Sequence, residues 1–248
     1  MPAAKQAELV LVHSPLTGDV LWQPVAGALR ARGRTVTAPA LGGTLDGAGP
    51  HYPLLLAAAE RQVPPGPGHM PVVLVGHGGA GPLLPALGRR LTRRERGPRT
   101  VAGSVYVDAQ WPHPGRSWLE AVPADQAAWL RGLAAGGRLP PWDTWYPERE
   151  LADEVPDPDL RARFRAGLPR APLAYAEEPA PEAEPDPDRT RTAYLRLSPQ
   201  YEETAIHAES LGHRVLRRTS HHLSPLTDPE GTADALEKLA VRFTDRAA

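Results

Sequence analysis

The sequence predicts an α/β protein, with a doubly wound, mostly parallel six-stranded sheet and a helical lid inserted between two of the strands. Three observations carry that prediction. Six short apolar or β-branched runs alternate with longer helical patterns in βαβα order, which fits right-handed crossovers about a single sheet. The most apolar runs show little polar alternation, as expected for strands buried on both faces. One interval is too long for a crossover helix and holds no strand pattern.

In chain order, strands are predicted at residues 8–13, 34–39, 72–76, 104–108, 194–197 and 214–217, and helices at 21–32, 53–62, 80–91, 202–211 and 230–243. The long interval follows Asp108 and has helical patterns at 117–134 and 151–165. An insertion there sits over the carboxyl ends of the strands, the edge on which open α/β sheets bind ligands. Residues 1–112 and 190–248 are therefore assigned to the core, and 113–189 to the lid. Within the lid, Pro140-Pro141-Trp142-Asp143-Thr144-Trp145-Tyr146 is an aromatic cluster, with Trp111 just upstream. Such rings either line a pocket or pack the lid onto the body. Between residues 177 and 188, six acidic side chains are interleaved with four prolines. That composition opposes a packed helix and predicts a solvated return from lid to body with no specific role.

Composition narrows the function. With 248 residues, 41% of them hydrophobic, the chain can bury one sizeable core. A formal net charge of -1 gives no reason to expect nucleic acid or an anionic membrane as partner. The expected partner is a small-molecule substrate or ligand, and a homodimer stays open. The absence of cysteine excludes disulfides, thiolate catalysis and Cys-type zinc sites. His221, His222 and Asp108 have no zinc-motif spacing, so neither a metal nor any other cofactor is expected. The glycine run at 76–81 lacks G-x-G-x-x-G spacing, which argues against a dinucleotide loop. The polar start, Met1 to Gln6, and the absence of an apolar stretch near the roughly 20 residues of a membrane span predict a cytoplasmic protein. The basic charge, 26 arginines against Lys5 and Lys238 alone, reads as the mark of a GC-rich genome.

The segments with chemical content are three. Val72-Val73-Leu74-Val75-Gly76-His77-Gly78-Gly79-Ala80-Gly81 is a buried strand entering a glycine turn and then a helix, the setting of a G-x-S-x-G nucleophile elbow, but its middle residue is Gly78. No acyl-enzyme can form on a residue without a side chain. His13-Ser14-Pro15-Leu16-Thr17-Gly18-Asp19-Val20-Leu21-Trp22 is similar to the H-G-x-x-x-G-x-x-x-W stretch of plant esterases and hydroxynitrile lyases, with Ser14 in place of glycine. His222-Leu223-Ser224-Pro225-Leu226-Thr227-Asp228-Pro229 resembles the C-terminal histidine loop of the same group. Over essentially its whole length the chain resembles the α/β-hydrolase-fold superfamily, as a member without the serine nucleophile and without the first two antiparallel strands.

That resemblance assigns roles. His222 is the expected catalytic histidine, Gly79 supplies one oxyanion-hole N–H, and the second donor maps onto Pro15, which has none. A one-residue shift in register puts Ser14 or Leu16 there instead. His77 is expected to pack under the elbow turn and His13 to order the oxyanion loop, neither acting as a base. The site where an aspartate often follows the fifth strand here reads Ser198-Pro199-Gln200-Tyr201-Glu202. Asp108 is then either the carboxylate partner of His222 or a cap accepting backbone N–H bonds at its own strand end.

Three functions follow. The leading one is a non-hydrolytic enzyme of cyclase, lyase or isomerase type, with His222 as general acid or base, acting on a small, largely apolar metabolite in natural-product tailoring. The alternatives are a ligand-binding pseudo-hydrolase, and a hydrolase in which His222 activates water or in which Ser14 or Thr17 acts as the nucleophile.

Overall fold

A computed structural model describes residues 7–65, 70–182 and 191–244. Residues 1–6 and 183–188, on which parts of the N-terminal and acidic-return readings fall, lie outside the described residues. Six strands form one sheet in the order β2-β1-β3-β4-β5-β6, and every neighbouring pair is parallel. The strands are β1 (Glu8–Val12), β2 (Val36–Thr37), β3 (Val72–Gly78), β4 (Val101–Ala109), β5 (Arg191–Arg196) and β6 (Arg214–Arg217).

Alternate side chains of each strand feed two separate cores. Val10, Val12 and Leu74 point to one face, under α2 (His51–Gln62), α3 (Leu83–Arg93) and α9 (Glu202–Ser210). Leu9, Leu11, Val73 and Val75 point to the other, under α1 (Gln23–Ala31) and α11 (Pro229–Thr244). The uninterrupted apolar character of 72–75 follows from this two-sided burial.

Several boundaries differ from those expected, each for a local reason. The predicted edge strand 34–39 shrinks to the two residues of β2. The predicted strand at 194–197 starts earlier, at Arg191, and stops at Arg196 because the Leu197 N–H goes to the Asp108 carboxylate instead of the ladder. The strand read at 104–108 begins at Val101; its glycine, Gly103, masked the pattern and is required, since a Cβ there falls 2.6 Å from the Arg191 carbonyl oxygen. The helix expected at 21–32 opens as a 3-10 turn over Asp19–Trp22 before α1.

Between β4 and β5 the chain builds α4 (Trp118–Ala121), α5 (Ala124–Leu133), α6 (Glu148–Glu154), α7 (Pro158–Ala166) and α8 (Leu173–Glu177), plus a 3-10 turn at Trp142–Thr144. The two long helical patterns read from sequence are each broken in two. Pro123, Pro147 and Pro172 precede α5, α6 and α8, and Pro158 opens α7; each removes a backbone donor and confines the preceding residue to extended geometry. The acidic return is not without a role. Glu178 accepts the backbone N–H groups of His51 and Tyr52 at 2.5 and 2.9 Å, capping α2, where an anion also complements the helix dipole.

At the opposite end of the sheet from the strand carboxyl ends, Glu8 and Arg99 form a buried ion pair at 2.7 Å, with side chains only 4% and 1% exposed. Glu8 also accepts from the Thr37 hydroxyl and Arg99 donates to the Pro64 carbonyl. Removing one partner strands a charge, so Arg99→Ala is expected to lower unfolding free energy by about 3–5 kcal/mol. Urea titration checks this, and a double Glu8→Leu/Arg99→Leu variant should recover most of the loss.

Candidate active site

β3 ends in a turn that its glycines shape. Gly78 has φ +55°, and a Cβ on Gly81 falls 1.8 Å from the Gln110 carbonyl oxygen, so the last glycine of the run lets β4's exit loop lie against the turn. The segment from His13 to Thr17 faces the turn from β1. His13 donates from Nδ1 to the Ser14 carbonyl at 2.7 Å and accepts the Leu41 N–H at Nε2 at 3.0 Å, which fixes one neutral tautomer. The Ser14 hydroxyl oxygen accepts the Leu16 N–H at 3.2 Å. Pro15, between them, offers no donor.

β4 places Asp108 through a bulge. His77 pairs with Val107 while Gly78 pairs with Ala109, leaving Asp108 as the extra residue, at φ +39°. Tyr194 grips the next residue, its phenol accepting the Ala109 N–H and donating to the Ala109 carbonyl at 3.1 and 2.8 Å. The bulge aims the Asp108 carboxylate at the end of β5. It accepts the Leu197 N–H at 2.6 Å, the Ser198 N–H at 3.0 Å and the Ser198 hydroxyl at 2.6 Å. It also accepts from His222 Nδ1 at 3.3 Å. Asp108 is fully buried, and both roles read for it, strand-end cap and histidine partner, describe the same carboxylate.

His222 lies in the loop after β6, just before α10 (Ser224–Thr227). His77 donates from Nε2 to the His222 carbonyl at 3.0 Å, and the two rings stand 4.1 Å apart. Burial, reinforced by the neighbouring His222, pushes the His77 pKa well below its ordinary value. Tyr201 stacks on the other side of His222, centroids 5.1 Å apart and planes within 8°. The neighbouring His221 bonds the Thr227 hydroxyl through Nε2 at 3.0 Å. A Cβ on Gly78 would stand 3.6 Å from His222 Nε2, 3.6 Å from Ser14 Oγ and 3.2 Å from Ser14 Cβ. The imidazole, the elbow and the Ser14 side chain therefore converge on one spot.

Above that spot is a cavity of about 620 Å³. Gly78, Gly79, Ser14, Leu16 and His222 form its floor, and Trp111, Trp142, Trp145 and Tyr146 contribute to its walls. Those rings also pack on their neighbours: Trp142 lies 5.9 Å from His222 and 6.4 Å from Phe164, and Trp111 lies 5.1 Å from Tyr106. His77 and Pro15 lie beneath the floor and do not line it. Sequence reasoning missed Ser198, Tyr201, Trp118 and Trp129. Ser198 and Tyr201 stand in the stretch judged only for its missing aspartate, and the two lid tryptophans carry no motif.

Among the described residues no group of three or more His, Cys, Asp or Glu could hold a metal, and no helix is long and apolar enough to cross a membrane. Three deeply buried histidines and one half-buried one share an electrostatic trait. Burial lowers the pKa of His13, His77 and His113, and of half-buried His213, below the ordinary value of 6.5. In the unfolded chain these histidines take up protons first, so their neutral-state stability is fully present above about pH 6.5 and is lost as pH falls toward their lower folded values. Denaturant titrations at pH 7.5 and 5.5 should show it, each such group contributing up to about 1.4 kcal/mol per pH unit within its window.

No protein-family model matches the chain, and no curated protein matches it. Solved structures do. Tomato methylketone synthase I complexed with 2-tridecanone superposes with a TM-score of 0.71 at 18% identity, covering 96% of this chain and 99% of that one. A variant of the same synthase is complexed with β-ketoheptanoate. An extracellular α/β-hydrolase from a Paenibacillus species, described as homologous in structure and function to tobacco salicylic acid binding protein 2, gives 0.66 at 19%, covering 94% and 98%. Polyneuridine aldehyde esterase gives 0.64 at 18%, covering 95% and 99%. With its all-parallel six-stranded sheet, flanking helices and near-complete overlap with these enzymes, the chain has the α/β-hydrolase fold.

Proposed function

We propose that the protein is a non-hydrolytic enzyme of lyase, isomerase or cyclase type, in which His222, oriented by Asp108, moves a proton on a small, largely apolar substrate held over Gly78. One observation carries this reading: His222 Nε2 faces the place where a side chain on residue 78 would begin, and no side chain is there. A base in that position meets the substrate directly instead of a serine hydroxyl. Ser14 Oγ, whose lone pair already accepts the Leu16 N–H, keeps its own proton for donation to a substrate oxygen on the opposite side of the same spot. A base on one side and a hydrogen-bond donor on the other suit enolate-forming chemistry.

The ligands of one fold neighbour support the choice of class. A methyl ketone and a β-keto acid, the two compounds in the methylketone synthase complexes, differ in kind by one carboxylate, and both reach an enolate by loss of a proton or of carbon dioxide. The test therefore uses both. In D2O the protein is expected to exchange the α-hydrogens of 2-tridecanone or to release carbon dioxide from β-ketoheptanoate, and His222→Ala should reduce the rate by about 10²- to 10⁴-fold. No exchange and no decarboxylation, together with His222-dependent hydrolysis of p-nitrophenyl acetate, would establish water activation instead. Binding without turnover of any of the three would establish a pseudo-hydrolase.

A further inference from the structure

The cavity over Gly78 carries far more aromatic and acidic surface than proton transfer at His222 requires. Five of the chain's six tryptophans line it, the exception being Trp22, which is fully buried under α1. Trp118 and Trp145 lie nearly parallel, planes within 18° and centroids 6.2 Å apart, and Trp129 meets Trp145 edge to face at 5.9 Å. Such walls accept a flat apolar body.

The charged groups in the lining are unequal. Among the described residues the cavity's only lysine or arginine is Arg116, and its guanidinium donates to the Glu120 carbonyl. Three carboxylates line it: Asp143, Glu150 and Glu154. Asp143 is neutralised by Arg165 at 3.0 Å. Glu150 and Glu154 sit four residues apart on α6, a spacing at which like charges repel. Glu150 has no ion-pair partner among the described residues, and Glu154 has only His221, at 3.6 Å. The Glu150 charge adds to burial in holding the Tyr146 phenol above its ordinary range.

A separate group points the same way. His113, 8% exposed, lines the cavity and donates from Nδ1 to the Arg116 carbonyl at 2.8 Å. In the neutral ring that bond leaves Nε2 as an acceptor, and Nε2 is buried with no partner. Unneutralised carboxylates, an orphaned acceptor and aromatic faces all favour a ligand that brings positive charge and N–H donors. A carboxylate ligand meets none of these needs, so of the two enolate precursors the uncharged ketone is the one this cavity favours.

We propose that this cavity selects a substrate with a planar apolar body and a protonated amine, the amine held by Glu150 and Glu154 and the body by the tryptophan walls. This rests on the reading of the cavity as the place where His222 meets its substrate. Isothermal titration with a naphthylmethylamine, the matching naphthylmethanol and naphthoate separates the charge states on one ring system. The amine is expected to bind about tenfold tighter than the alcohol, with naphthoate weakest. In a Glu150→Gln/Glu154→Gln variant the amine should fall to the level of the alcohol, while unchanged alcohol binding shows that the cavity is intact. Naphthoate binding as tightly as the amine, or an amine preference that survives the double substitution, overturns the proposal. His222→Ala should leave the ratio of amine to alcohol affinity within about twofold, since the amine is held by α6. Loss of the exchange chemistry with the amine preference intact therefore counts against the proton-transfer reading alone, and the reverse result counts against the amine alone.

Discussion

Asp108→Asn is expected to lower the His222-dependent exchange rate by about 10⁴-fold, close to removal of His222 itself. The reason is that the carboxylate serves four donors at once. Leu197 N–H, Ser198 N–H, the Ser198 hydroxyl and His222 Nδ1 all point at its two oxygens, in a pocket with no solvent exposure. An asparagine keeps one oxygen and turns an amide toward the rest, so one set of donors faces another. If the oxygen stays on the strand-end donors, Nδ1 of His222 loses its acceptor, the imidazole takes the other tautomer, and Nε2 no longer offers a lone pair to substrate. If the oxygen turns to His222, it also keeps the Ser198 N–H and hydroxyl, which share that oxygen, and the Leu197 N–H, bound at 2.6 Å to the other oxygen, is left facing the amide at a cost of about 1–3 kcal/mol. The two outcomes are separable: the first lowers rate at nearly unchanged stability, the second lowers stability in urea. Wild-type rate with wild-type stability would show that the carboxylate does neither job. The positive φ of Asp108 marks the same trade, a strained backbone held by the bonds its side chain makes.

The sheet was legible because two-sided burial leaves a strong trace: the runs at 8–12 and 72–75 are almost wholly apolar, and periodicity needs nothing more to find them. Edge strand β2 was overdrawn because two residues of pairing leave almost no pattern. The lid was legible as helical but not in its breaks, since amphipathic spacing runs on past Val122 and Val155 while Pro123 and Pro158 stop the backbone. The site divided in the same way. His222, Gly78 and the His13 segment carry motif spacing, so sequence alone brought them together. Ser198 and Tyr201 carry none; their importance comes from β5 ending beside Asp108 and from a ring plane parallel to His222, facts of three-dimensional placement. Glu178 was misjudged for a related reason: an acidic, proline-rich composition describes average solvation, whereas one carboxylate with two backbone donors in reach makes a cap.

Restoring only the serine at the elbow is expected to give no esterase, whereas Gly78→Ser combined with Ser14→Gly should hydrolyse p-nitrophenyl acetate with a burst of nitrophenol. The obstacle is steric and electronic together. A Cβ at residue 78 comes within 3.2 Å of Ser14 Cβ, closer than ordinary packing, and the new hydroxyl competes with Ser14 Oγ for the space in front of His222 Nε2. Ser14 also occupies the Leu16 N–H, the nearest backbone donor on the loop after β1 once Pro15 is discounted. Replacing Ser14 by glycine clears the space and frees that N–H in one step, so the two substitutions should be strongly non-additive, as contacting residues are. The side chain missing from the elbow thus has a counterpart in the one added across from it, and each residue suits the other. A third change, Pro15→Ala, restores a backbone donor at the position the loop register assigns to the oxyanion hole, and should add about 10²- to 10³-fold in rate. Equal activity of the Gly78→Ser single variant and the double variant would show that Ser14 obstructs nothing. Inactivity of all three, with folding intact, would place the obstacle in the His222–Asp108 pair, whose separation of 3.3 Å is longer than a strong charge-assisted bond.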